Sequence, residues 1–164
     1  MFTNPLLHFI AVVYEKIVGI GSNLQSLFLL WVRLTWGHQF YLTGMGKLHN
    51  IEQTAQYFAS LGIAHPELQA HVVGTLEAAG GALLVVGLAS RFISIPLLIT
   101  LLVALGTAHI QIFSGLHFLT DPAELAASAP FPFLMMTLLM ICYGPGRISL
   151  DGWLKRWAEG QPKY

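Results

Sequence analysis

Apolar residues fall in long blocks along this chain, with the polar residues gathered between them. Four blocks stand out: about Leu24 to Gly46, Ala70 to Ala89, Phe92 to Phe113, and Phe131 to Tyr143. A helix needs about 20 predominantly apolar residues to cross hydrocarbon. The first three blocks meet that length. The fourth meets it only if its entry "AASAP" or its exit contributes, and "GPG" at 144 to 146 stops it. The pattern predicts an all-α integral membrane protein built as a four-transmembrane-helix bundle, in one domain covering 1–164.

Shorter amphipathic stretches connect and flank these spans. Between the first two lies "KLHNIEQTAQYFASLGIAHPEL", where Ile51, Ala55, Phe58 and Leu61 share helical spacing before Gly62 and Pro66 break it. This segment is expected to lie on the membrane or dip into it. Residues 1–21 have no basic region ahead of their apolar run and no cleavage site, so they do not read as a signal peptide. The run from Leu6 to Tyr14 is too short to span and precedes Glu15 and Lys16, which predicts a separate interfacial helix. At the other end, residues 149–164 predict a short helix capped by Ser149. Trp153, Leu154 and Trp157 share one face beside Lys155 and Arg156, a composition suited to the headgroup level.

Composition fits a lipid environment. Apolar residues make up 55% and charged residues 10% of the 164, against about 25% charged in soluble domains. A formal net charge of zero argues against a nucleic-acid partner, which selects for clustered basic faces. One cysteine, Cys142, excludes an intrachain disulfide and a dithiol mechanism, and it reads as inert core. With four spans, Lys16, Arg91, Arg147, Lys155, Arg156 and Lys163 share one side and Lys47 stands on the other. The positive-inside rule then places both termini in the cytoplasm of a bacterial inner membrane.

Charge inside the apolar blocks marks the candidate site. Arg33, Gly37, Phe40, Gly44 and Lys47 recur at intervals of four and three, forming one stripe on the first span. Its glycines permit close backbone approach, so Arg33 should face the bundle, where it needs an acceptor. Glu77 is the acidic residue well inside a span, among Gly74, Ala78, Gly80 and Gly81. It should sit about 10 Å below the outer surface, with Lys47 above it and Arg33 below. The spacing does not choose between the two cations, and a water or His38 could complete a link. His109 on the third span reaches the same outer half, with His49 and His71 near the surface and His8, His65 and His117 as surface residues.

Glu77, Lys47, Arg33 and His109 are therefore the candidate catalytic residues. Intramembrane charges mark functional paths by default, although buried ion pairs also serve only to fix helix register, and a lone histidine is more often structural. Trp36, Phe40 and Tyr41 are aromatics on which a quinone ring could stack, packing or lipid contact being the ordinary role of such side chains. Bis-histidine haem through His38 and His109 is disfavoured by their unequal depth. No spacing of cysteine and histidine suits a metal site.

The stretches "RLTWGHQFYLTGMGKL", "YFASLGIAHPE", "GTLEAAGGALLVVGLASR" and "YGPGRISLD" resemble, in that order, the motifs of the DoxX family of small four-helix bacterial membrane proteins. The resemblance covers roughly residues 27–152 and carries over Arg33, Gly37, Gly44, Lys47, Glu77, Gly80, Gly81, Arg91, Gly144, Pro145 and Asp151. It implies membrane redox work, since the family is named from a subunit of a thiosulfate:quinone oxidoreductase. Distant relatives act as cargo receptors or assembly factors. Two expectations follow. In one, the chain is a quinone-linked redox subunit with a membrane or peripheral redox partner, Glu77 meeting the quinone headgroup and Lys47 and Arg33 keeping it ionised. In the other, it is a non-catalytic scaffold for a partner complex. The sequence leaves homo-oligomerisation open.

Overall fold

The computed structural model describes residues 5–110 and 122–160 of the chain, all of it helical or in turns, with no strand among the described residues. The helices are α1 (Pro5–Val32), a π-helical turn (Arg33–Gly37), α2 (His38–His49), α3 (Ile51–Ser60), α4 (Pro66–Val86), α5 (Ser90–Ala108), α6 (Pro122–Ala127), α7 (Pro130–Tyr143) and α8 (Leu150–Glu159). Three stretches are long and apolar enough to cross a bilayer: His8–His49, Pro66–Val86 and Ser90–Ala108. The helix α7 has 14 residues, about 21 Å at 1.5 Å per residue. That is short of a ~30 Å hydrocarbon core, so length alone does not supply the fourth span. The expected end of the third span at Phe113, and His117, lie outside the described residues.

The first helix differs from expectation at its start. No break precedes Leu24: α1, the π turn and α2 form one continuous rod. Gly19 and Gly21 meet no other part of the protein within 4 Å, and glycine in a helix interior costs only about 1 kcal/mol. Neither is enough to end a helix. The apolar side chains from Leu6 to Leu24 are mostly exposed, so this portion projects beyond the bundle.

Packing of α2 on α4 is governed by small residues. A methyl group at Gly44 would overlap the Ala78 backbone and sit 2.7 Å from the Gly74 carbonyl oxygen. One at Gly81 would collide with Tyr41 and lie 2.6 Å from the Gly37 oxygen. The two helices therefore touch backbone to backbone. Beside this seam, Leu29, Val32, Phe40, Leu84, Leu97, Leu101, Met136 and Met140 form the apolar core joining α4, α5 and α7 to the first helix. Cys142 lies outside that core and is exposed, because it falls on the outward face of α7.

Helix ends follow from local chemistry. Pro66 occupies the first turn of α4, where its missing N–H costs nothing. Gly87, with φ 73°, closes α4 in the left-handed region, and the Leu88 N–H returns to the Leu83 carbonyl at 3.0 Å. Ala89 cannot cap α5 with a side chain of its own. Asp151 does so from α8, accepting from the Ala89 N–H at 2.8 Å and the Ser90 N–H at 3.1 Å.

Candidate functional site

Lys47 and Glu77 form an ion pair through Lys47 Nζ and Glu77 Oε2. The stripe on α2 and the small-residue face of α4 dictate this meeting, since Gly44 touches Ala78, the neighbour of Glu77, and Lys47 lies about one turn past Gly44. The Glu77 side chain is 10% exposed and that of Lys47 is 27% exposed. The pair thus sits inside the bundle with its cation towards the end at His49.

Below and beside the pair lies a cavity of about 510 Å³. Phe40, Leu101 and Phe133 form its apolar floor, while Val73 and Ala104 line its sides. Phe40 and Phe133 meet edge to face at 4.6 Å between centroids. Its roof comes from the amphipathic segment: Tyr57, Phe58, Leu61 and Ile63 close it from α3 and the turn that follows. The expected surface segment is therefore also a wall of the site, packed against α4. His109 joins the lining, together with Thr43, Thr100 and Thr107. Each threonine donates its hydroxyl proton to a carbonyl of its own helix, at 3.0, 2.8 and 2.8 Å. Their lone pairs remain as weak acceptors.

Arg33 stands elsewhere. It is 1% exposed, as the stripe predicts, but its Nη2 donates to the Ile148 carbonyl just ahead of α8. The expected bracketing of Glu77 by two cations is thus corrected: Arg33 and Lys47 are about 21 Å apart along one helix and serve opposite ends of the bundle. Gly87 makes room for the guanidinium, since any Cβ there would overlap it. Asp151 is the acid whose charge reaches Arg33, and its main chain is tied in as well, its N–H donating to the Gly87 carbonyl at 3.0 Å. A carbonyl 115 residues away carries no sequence signal, so this acceptor could not be named beforehand.

Of the expected aromatics, Phe40 lines the cavity. Trp36 reaches it only by packing on Phe133, 5.3 Å between centroids, and Tyr41 is absent from its lining, contributing backbone to the seam at Gly81. His38, His49 and His71 are exposed, and the His49 Nδ1 meets the Met45 carbonyl at 2.7 Å. His38 takes no part in linking the charges. No group of three or more metal-ligating side chains occurs among the described residues. The sequence reading missed the roof residues Tyr57 and Ile63 and the threonine acceptors. The apolar spacing of α3 was a usable signal for the roof.

A glycine-sealed helix pair carrying an ion pair above an apolar cavity, on helices long enough to span a bilayer, defines a small helical membrane protein with a buried polar site. The DoxX family profile matches residues 28–110, half of the chain, and the chain belongs to that family. It is also similar to the Bacillus subtilis (strain 168) protein named "Putative oxidoreductase CatD", 27% identical over 117 residues, covering 63% of this chain and 86% of the relative. No solved structure matches it.

Proposed function

We propose that this DoxX family protein is a quinone-linked redox subunit and that the cavity beneath Lys47 and Glu77 receives the quinone ring. One observation carries the reading: a donor and an acceptor sit side by side at an apolar slot. Lys47 holds Glu77 Oε2 with one N–H and has two more to offer. Glu77 Oε1 has no hydrogen bond among the described residues. Lys47 would donate to a quinone carbonyl and Glu77 would accept from a quinol hydroxyl, so both redox forms would find a partner. The cavity volume of about 510 Å³ lies within the ~300–1,000 Å³ usual for small-molecule sites. Phe40 and Phe133 provide flat apolar contact for a ring.

A bound quinone supplies two-electron, two-proton chemistry. The chain's own residues orient the ring, exclude water from its inner edge and manage protons. Glu77 would accept a proton from a quinol hydroxyl, Lys47 would hold the carboxylate in place as its hydrogen-bond donor, and His109 in the cavity lining would pass the proton on. Electrons would be exchanged with a membrane or peripheral redox partner protein. The relative's name supports redox work, and the placement of Lys and Arg supports an inner-membrane protein with both termini cytoplasmic. Arg33 holds the far end of the bundle and takes no part in the chemistry.

A second reading, a non-catalytic scaffold, is favoured by one observation: at the end away from the cavity, Arg33 ties the first helix to Ile148 just ahead of α8, and Asp151 ties α8 to the start of α5. The two readings separate on ligand binding. Purified protein in nanodiscs should bind a short-chain naphthoquinone saturably, and Glu77→Gln should weaken binding by about tenfold with helicity retained. Failure of the wild-type protein to bind, with quinone-linked electron transfer unaltered in membranes carrying Glu77→Gln, overturns the redox reading.

A further inference from the structure

The helix α8 is fixed to the end of the bundle by its first turn alone. Arg33 holds Ile148, Gly87 accepts from the Asp151 N–H, and the Asp151 carboxylate caps α5. These contacts set α8 level with the end of α4 and the start of α5, where apolar helix gives way to turns. Beyond that turn none of the described residues of the bundle covers α8, and every residue from Trp153 to Gly160 is exposed.

Its exposed surface is divided. Leu150, Trp153, Leu154 and Trp157 share one side by helical spacing, with Trp153 56% and Trp157 60% exposed. Tyr143 and Ile148, also exposed, continue this apolar strip from the end of α7. Cations flank it. Arg147 is exposed at the approach to α8, the Arg156 guanidinium reaches back to the Arg147 carbonyl at 3.1 Å, and Lys155 is 75% exposed. The acid that could cancel them, Asp151, is turned inward to cap α5. Glu159 remains, 3.7 Å from Lys155, and such an exposed pair leaves the lysine free to bind elsewhere.

We propose that α8, with Arg147 beside it, is a binding surface for the headgroups of anionic phospholipids. Exposed tryptophans on a helix rooted at the edge of an apolar bundle favour the interfacial layer. The cations beside them favour phosphate-bearing headgroups without a compensating amine. The capping of α5 by Asp151 serves this surface twice, by removing a negative charge from it and by fixing the orientation of the helix. This inference is independent of the quinone reading, because it concerns the opposite end of the bundle.

The test uses the full chain in nanodiscs of mixed phosphatidylglycerol and phosphatidylcholine, with bromine on the acyl chains of one lipid or the other. Tryptophan quenching is assigned to α8 by difference from Trp153→Phe/Trp157→Phe. At equal mole fraction, brominated phosphatidylglycerol should quench the α8 tryptophans about twice as strongly as brominated phosphatidylcholine. The Arg147→Gln/Lys155→Gln/Arg156→Gln variant should lose the difference while both lipids still quench. Equal quenching in the wild-type protein, a preference surviving in the triple variant, or no quenching by either lipid each overturns the proposal. The last result places water or a protein partner over this face.

Discussion

Lys47 and Glu77 are paired beside the point where Gly44 and Ala78 press backbone against backbone, Glu77 next to Ala78 and Lys47 one turn past Gly44. The charge pair and the glycine seam are one device. The seam sets the distance between α2 and α4, and the pair occupies the place that distance creates.

The seam makes a sharp stability prediction. Gly44→Ala should destabilise the protein by about 1–3 kcal/mol or more, because its methyl meets the Ala78 backbone, which cannot rotate aside. Gly46→Ala on the same helix meets nothing within 4 Å. It should be neutral or stabilising by up to about 1 kcal/mol. Unfolding titrations in mixed micelles compare the two, and equal effects contradict the packing described.

Breaking the pair from one side leaves a charge stranded. Lys47→Met should be more damaging than the double change Lys47→Met/Glu77→Met, by about 1–3 kcal/mol after allowing for the partial exposure of Lys47. Thermal unfolding of the two variants and the wild type decides this. A double variant less stable than the single removes the argument for an ion pair that costs more broken than absent.

At the opposite end, Asp151→Ala should remove the cap from α5, costing about 1 kcal/mol. It should also loosen α8. Hydrogen exchange is expected to speed up across residues 147–160 and at Ala89 and Ser90, with little change near Lys47. Uniform exchange throughout the chain runs against this picture.

Arg33→Lys should behave as a loss despite the retained charge. A lysine lacks the planar fork that lies against Gly87 and reaches Ile148. Proteolysis of the turn at 144–149 in detergent should accelerate, and protection equal to wild type contradicts the assignment of Arg33 to this end.

Much of this arrangement could be read from side-chain types. The glycine and charge stripe on the first span pointed to a packed face, and Glu77 among small residues pointed to its counterpart. Depth estimated from helical rise was too coarse to choose between Arg33 and Lys47. The choice rests on Ile148 and Asp151, one a backbone carbonyl and the other a residue far along the chain. The continuous first helix was hidden because Glu15 and Lys16 look like an interfacial boundary, whereas a helix tolerates both. The π turn at Arg33–Gly37 has no residue signature, and the roof made by α3 is a tertiary contact that amphipathic spacing suggests without naming its partner.

Photoaffinity labelling with an azido-naphthoquinone tests the placement of the ligand most directly. Label should concentrate on peptides carrying Phe40, Thr43, Thr100 and Phe133, disappear when unmodified quinone competes, and fall sharply in Glu77→Gln. Label spread instead over exposed positions of the first helix such as Leu24 and Leu27, indifferent to competitor and to the Glu77 substitution, contradicts a quinone site beneath the ion pair.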